Sequence, residues 1–247
     1  THHASSAASD VYKRQIKDTL NNLERESRFH SQLNIIYNRV SNSSNNSDKT
    51  KLRELTNSNF TKAFDNVKYV IKGWENLPDE PTNIFFYNHL AAIDDNQLAN
   101  GHSFSIDSHF ISSKILHPKY NDGGQRIVRT SRNTEFWRYN YYENLDYIFV
   151  HTPESDMLEE SEKEKQERTQ TLFDEAQKVF NQKQPIVIAP EGTSETEDNK
   201  TITSPGPFKA GAFNLAFKLN PKPKLIPISL ANFDYPVSKT IYSAVIK

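Results

Sequence analysis

Short, wholly apolar quartets bounded by prolines and polar turns constrain this chain most. Ile84-Phe85-Phe86-Tyr87 follows Pro78 and Pro81, and Pro185-Ile186-Val187-Ile188-Ala189 and Leu225-Ile226-Pro227-Ile228 repeat the pattern further on. Runs this short, rich in β-branched and aromatic residues, read as strands, the first of them buried. Between them lie helical patterns. A charged stretch from about Met157 to Gln182 carries Leu172, Phe173, Ala176, Val179 and Phe180 on one face, and Lys209 to Lys218 reads as a short helix. Phe104 to Ile111 and Tyr147 to Val150 are further expected strands, and Ile241 to Ile246 closes the chain as another. Strands and helices therefore alternate, which predicts an α/β fold with a mixed sheet flanked by helices. The proline inside Leu225 to Leu230 is of a kind tolerated mainly at sheet edges.

The sheet is preceded by a helical segment. From Ile16 to Val40 apolar residues recur at helical spacing (Ile16, Leu20, Leu23, then Phe29, Leu33, Ile36 and Val40), and a polar link, Ser41 to Ser47, leads to a second helix over about Lys51 to Val70. Their high charge and modest apolar face favour ordinary helix packing over a membrane-facing surface. Residues 1–15 contain Ser5 to Gln15, SSAASDVYKRQ, which lacks the apolar core of a secretion signal and reads as a non-native or disordered leader. The expected organisation is thus a leader over 1–15, a helical segment over 16–78 and an α/β unit over 79–247, with continuation beyond Lys247 expected.

Composition narrows the chemistry. The 247 residues suit one domain. Thirty basic against 31 acidic residues leave a net charge of -1, so nucleic acid is not an expected partner. There is no cysteine, which excludes disulfides, thiolate zinc sites and a cysteine nucleophile. Mean hydropathy is -0.76, and no apolar run approaches the roughly 20 residues of a spanning helix.

The residues able to do chemistry follow the strands. Asn88-His89-Leu90-Ala91-Ala92-Ile93-Asp94 comes directly after the first quartet, where α/β strands open into active-site loops. Residues five apart on one helix point about 140° away from each other. His89 and Asp94 therefore meet only if His89 lies in the turn and Asp94 in the first turn of a following helix. Asp94 would then fix the imidazole tautomer and leave its other nitrogen basic. Glu191-Gly192-Thr193 forms a second turn after a strand, with a glycine that admits close backbone approach. Gly206-Pro207-Phe208-Lys209-Ala210-Gly211-Ala212-Phe213 leads into a helix, where Lys209 and the helix start suit an anion.

In this order the His-x-x-x-x-Asp pair, Pro-Glu-Gly-Thr, Phe-Lys-x-Gly-Ala-Phe and Ile-Pro-Ile resemble the motif series of the glycerolipid acyltransferase superfamily. The likeness runs from about Asn83 to Leu230, and the chain is similar to bacterial 1-acylglycerol-3-phosphate acyltransferases and to the soluble plastid glycerol-3-phosphate acyltransferase. The resemblance implies transfer of a fatty acyl chain from acyl-CoA or acyl carrier protein to a hydroxyl of a glycerol-phosphate acceptor, either 1-acylglycerol-3-phosphate or glycerol-3-phosphate, in phospholipid synthesis. It implies His89 and Asp94 as the catalytic pair, Glu191, Gly192 and Thr193 as acceptor-binding residues, and oxyanion donors among backbone amides near the His89 turn. It also implies no cofactor, no metal, and a cytoplasmic enzyme held peripherally at the inner membrane face.

Two departures concern the phosphate pocket. The family's arginine after a Phe-Ile-x-Arg-like strand is replaced by His151 and Thr152, and the arginine after Pro-Glu-Gly-Thr by Ser194. Arg126, Arg129 and Arg132 are nearby substitutes, with Arg129 the one expected to touch phosphate and Lys209 to assist it. A non-catalytic acyl- or lipid-binding module is the alternative these losses raise. A serine hydrolase is disfavoured because no Gly-x-Ser-x-Gly elbow occurs.

Overall fold

A computed structural model describes residues 2–44, 47–90, 96–131, 135–151, 161–192 and 205–247, with side chains from residue 9 onward. Two helices lead, α1 (His2–Ser41) and α2 (Lys49–Phe64), the latter capped by Asp48, whose carboxylate accepts the N–H groups of Thr50 and Lys51. The presumed leader is continuous with α1. The second helix stops at Phe64, and Tyr69–Lys72 forms a strand, β1, where a helix was expected to reach Val70. Asp65-Asn66 ends the helix, and the β-branched pair Val70-Ile71 suits the extended chain that follows.

Among the described residues the sheet has seven strands: β1, β2 (Ile84–Tyr87), β3 (Gln125–Arg129), β4 (Ile148–Val150), β5 (Ile186–Ile188), β6 (Leu225–Ala231) and β7 (Tyr242–Ile246), in the order β1-β7-β6-β2-β5-β3-β4. All neighbours are parallel except β6 and β7, so the sheet is mixed as expected. Between strands lie α3 (Ile106–Phe110), a π-helical turn (Ile111–Leu116), α4 (His117–Tyr120), α5 (Phe136–Asn144), α6 (Glu162–Asn181) and α7 (Ala210–Lys218).

Two expectations fail here. Phe104 to Ile111 is not a strand but leads into the helical run α3, π-turn and α4. Its buried polar side chains are satisfied locally, Ser108 Oγ donating to the Ser105 carbonyl and Ser113 Oγ to that of His109. Such bonds suit a helix and leave no need of a strand partner. Nor is β6 an edge strand, since it lies between β2 and β7. Pro227 stands opposite Lys247, whose N–H it accepts at 3.0 Å, so its missing donor falls where the β6–β7 ladder ends.

All four residues of β2 are buried, and period-two alternation assigns them to opposite layers. Phe85 and Tyr87 join Phe29, Leu33, Ile36 and Val40 of α1, Phe60 and Phe64 of α2, and Phe110 of α3. Ile84 and Phe86 join Ala176, Val179 and Phe180 of α6 and Leu215 of α7. No described helix is long and apolar enough to cross a membrane.

Candidate active site

The site forms where β2, β5 and β6 end side by side. Asn88, the first residue past β2, mimics a strand residue with its side chain. Its Nδ2 donates to the Leu230 carbonyl at 3.0 Å and its Oδ1 accepts the Leu230 N–H at 2.7 Å. The turn that carries His89 is thereby fastened to β6. From the other side Glu191, just past β5, accepts the His89 N–H on Oε1 at 2.8 Å and the Gly206 N–H on Oε2 at 2.8 Å. Glu191 is buried.

Gly192 has φ +78°, a left-handed conformation that favours glycine. A Cβ there would meet the Lys209 side chain, with Nζ at 3.0 Å. The exposed Lys209 opens α7 as its N-cap, and its own N–H bonds to the Pro190 carbonyl at 2.8 Å. His89, Glu191, Gly192 and Lys209 are thus gathered beyond the C-terminal ends of β2 and β5.

The His89 imidazole is 19% exposed and its Nδ1 lies 2.6 Å from Asp107 Oδ2. Asp107 is 1% exposed; the same Oδ2 accepts the Leu90 N–H at 3.0 Å and its Oδ1 accepts the Ser108 N–H at 2.6 Å. Burial acts to lower the His89 pKa, but the Asp107 charge, its hydrogen bond and the Glu191 charge outweigh it, and the net shift is upward despite Arg138. With Nδ1 donating to the carboxylate, Nε2 is the basic nitrogen, and among the described residues it has no hydrogen-bond partner. The Tyr87 ring stands edge-on to the imidazole at 5.7 Å.

Asp94 and Thr193 lie outside the described residues, as do Arg132 and the remainder of the His89 turn, 91–95. The amides of His89 and Leu90, expected near an oxyanion, are already given to Glu191 and Asp107. Arg129 binds Glu135 through Nη2, 3.0 Å from each carboxylate oxygen, and the Thr130 carbonyl through Nη1 at 2.9 Å. Arg126 is in the core: Nη1 donates to Ser108 Oγ at 3.0 Å, and the guanidinium lies over Tyr147 at 5.0 Å. Arg138 of α5, which the sequence reading passed over, lies over Tyr142 at 5.1 Å and acts on His89 through its charge.

Asp107 was missed as well. The visible signal was a carboxylate between Ile106 and Phe110 in a segment that otherwise reads as core. Among the described residues no group of three His, Asp or Glu is arranged to hold a metal ion.

No curated protein matches the chain. The Acyltransferase family matches it over residues 68–231, about two thirds of its length, from the start of the sheet through β6. That span contains the His89 turn, Asp107 and Glu191, and the chain belongs to this family of acyl-transferring enzymes, within the glycerolipid acyltransferase superfamily.

Proposed function

We propose that this acyltransferase moves a fatty acyl chain from a thioester, acyl-CoA or acyl carrier protein, to the free hydroxyl of 1-acylglycerol-3-phosphate, with His89 as general base. The observation that carries the reading is the His89 ring, whose Nδ1 is held by a buried carboxylate while Nε2 is left basic at the open end of the sheet. Nε2 takes the hydroxyl proton as the oxygen attacks the thioester carbonyl. The tetrahedral intermediate collapses with cleavage of the C–S bond, and the imidazolium returns the proton to the leaving thiolate. One ester and one thiol result, and no acyl-enzyme forms, which suits a chain without cysteine.

The acceptor's phosphate needs a cation. Arg129 is engaged by Glu135, and among the described residues Lys209 beside Gly192 and Arg138, whose charge reaches His89, support an anionic acceptor. Glycerol-3-phosphate is the alternative acceptor. A location at the inner membrane surface is supported by Ile16, Leu20 and Leu23 of α1, which lie on one helical face and are exposed.

The test is thiol release by purified protein from a palmitoyl or oleoyl thioester, with each acceptor, in wild type and His89→Ala. Acceptor-dependent release lost in the variant supports the reading and names the acceptor. Thioester binding without turnover, unchanged by His89→Ala, would replace it with the non-catalytic lipid binder.

A further inference from the structure

We infer that the sheet face over β6, β7 and β1 is the docking surface for an acidic, helical protein, and that this partner is the acyl carrier protein, one of the two thioester donors named above. The identity of the donor rests on the acyl-transfer reading; the surface does not. On the side of the sheet that holds α6 and α7, the apolar layer covers β2, β5, β3 and β4 and goes no further. The register carries the same face onward. Leu225 and Pro227 of β6 stand beside Ile84 and Phe86 of β2, Val245 of β7 pairs with Ser229, and Lys72 of β1 pairs with Val245. Val70, two residues before Lys72, shares that face. These side chains are open: β6 alternates exposed and buried residues, with Leu225 38% exposed, and Val70 is 43% exposed.

The wall of this trough is α7. Lys218 lies over the Phe173 ring of α6 at 4.8 Å and marks the flank turned toward α6. Phe213 and Phe217, four residues apart on one helical face, lie on the other flank, and Phe217 is 73% exposed. Neighbouring strands run about 4.8 Å apart, so β6 and β1 on either side of β7 leave about 10 Å, the width of one helix. A flat bilayer would meet α7 first and leave the strands beside it uncovered.

Charge selects the occupant. The residues of β1, α7, β6 and β7, with the link 219–224, include Lys72, Lys218, Lys222 and Lys224 and no Asp or Glu, in a chain of 30 basic and 31 acidic residues. Lys222 donates to the Phe217 carbonyl, and among the described residues none of the four is paired with a carboxylate. An acidic partner supplies the missing charge and is drawn in by it. The phosphates of CoA need a local cluster of cations, whereas an apolar strip three strands wide needs a protein. The trough also leads to the site, since Asn88, next to His89, is bonded to Leu230 near the end of β6. A carrier seated here holds its thioester arm at the strand ends where His89 lies.

The experiment measures binding of fluorescently labelled, unacylated carrier protein, and thiol release from palmitoyl carrier protein and from palmitoyl-CoA, in wild type, in the double variant Lys72→Glu with Lys222→Glu, and in Phe217→Ser. All three positions are exposed. The double variant should weaken carrier binding and raise KM for the carrier thioester by roughly 10-fold, with KM for palmitoyl-CoA unchanged, and added salt should erase the difference. Phe217→Ser should weaken carrier binding without changing its salt dependence. Carrier binding unchanged in both variants, or an equal rise in KM for both donors, overturns the inference. So does loss in the double variant of binding to anionic vesicles or of a dimer of this chain, with carrier binding retained. If neither thioester is turned over, the acyl-transfer reading falls, and the binding measurement still decides the surface.

Discussion

Glu191 ties together the loops after β2 and β5, accepting the His89 N–H on one oxygen and the Gly206 N–H on the other, each at 2.8 Å. Glu191→Gln presents an amide nitrogen to one of those donors and loses that bond. With the group buried, an unsatisfied N–H costs about 1–3 kcal/mol, and displacement of His89 should lower kcat by roughly 10²-fold. Urea unfolding and steady-state kinetics of one preparation test both, and an unchanged kcat would separate the loop tie from catalysis.

Activity should fall on the acid side with a midpoint above the ordinary histidine value, because Asp107 and Glu191 outweigh burial and raise His89, and only the neutral ring accepts a proton. Stability runs the other way. A raised histidine stabilises the fold fully below the unfolded value of about 6.5 and loses that contribution as pH rises through the folded value. His89→Ala should cost about 10²–10⁴-fold in kcat and remove this slope from a plot of urea midpoint against pH.

Arg138 and Arg129 should separate cleanly. Arg138→Gln should raise KM for a phosphorylated acceptor while leaving KM for the thioester unchanged. It should also move the acid limb upward, since the Arg138 charge holds the His89 value down. Arg129→Gln removes the partner of Glu135 and should act on thermal stability first. Identical kinetic changes in the two variants would argue against Arg138 as the acceptor cation.

His102 is buried against Tyr37, Phe104 and Tyr141, and burial followed by the Arg138 charge lowers its pKa to about 3. A depressed histidine stabilises the fold above its unfolded value and loses that contribution as pH falls from about 6.5 toward the folded value, at most roughly 1.4 kcal/mol per pH unit. His102→Gln should flatten the acid limb of stability in that window, read as urea midpoint against pH. A slope like that of wild type would assign the limb to other groups.

Much of the sheet was legible because β2 and β5 are apolar on both faces, a pattern few other structures need. Glu191 and Lys209 could be placed near His89 because each follows a strand end or opens a helix in sequence. Phe104 to Ile111 misled because apolar and polar residues alternate there, yet both kinds are buried and the polar ones bond within the helix. Asp107 was invisible for the same reason: His89 finds it through the packing of α3 under β2, not through spacing. Arg129 looked available from sequence because nothing in the sequence marks Glu135, six residues on, as its partner.

The double-sided burial of β2 also bears on where this enzyme can be cut. Phe85 and Tyr87, which hold up the His89 turn, rest on Phe29, Leu33, Ile36 and Phe60, residues upstream of the segment that defines the family. A fragment trimmed to that segment would keep His89, Asp107 and Glu191 and lose the helices that share their core. The leading helices are, in that sense, part of the active site's foundation, and the smallest working unit has to include them.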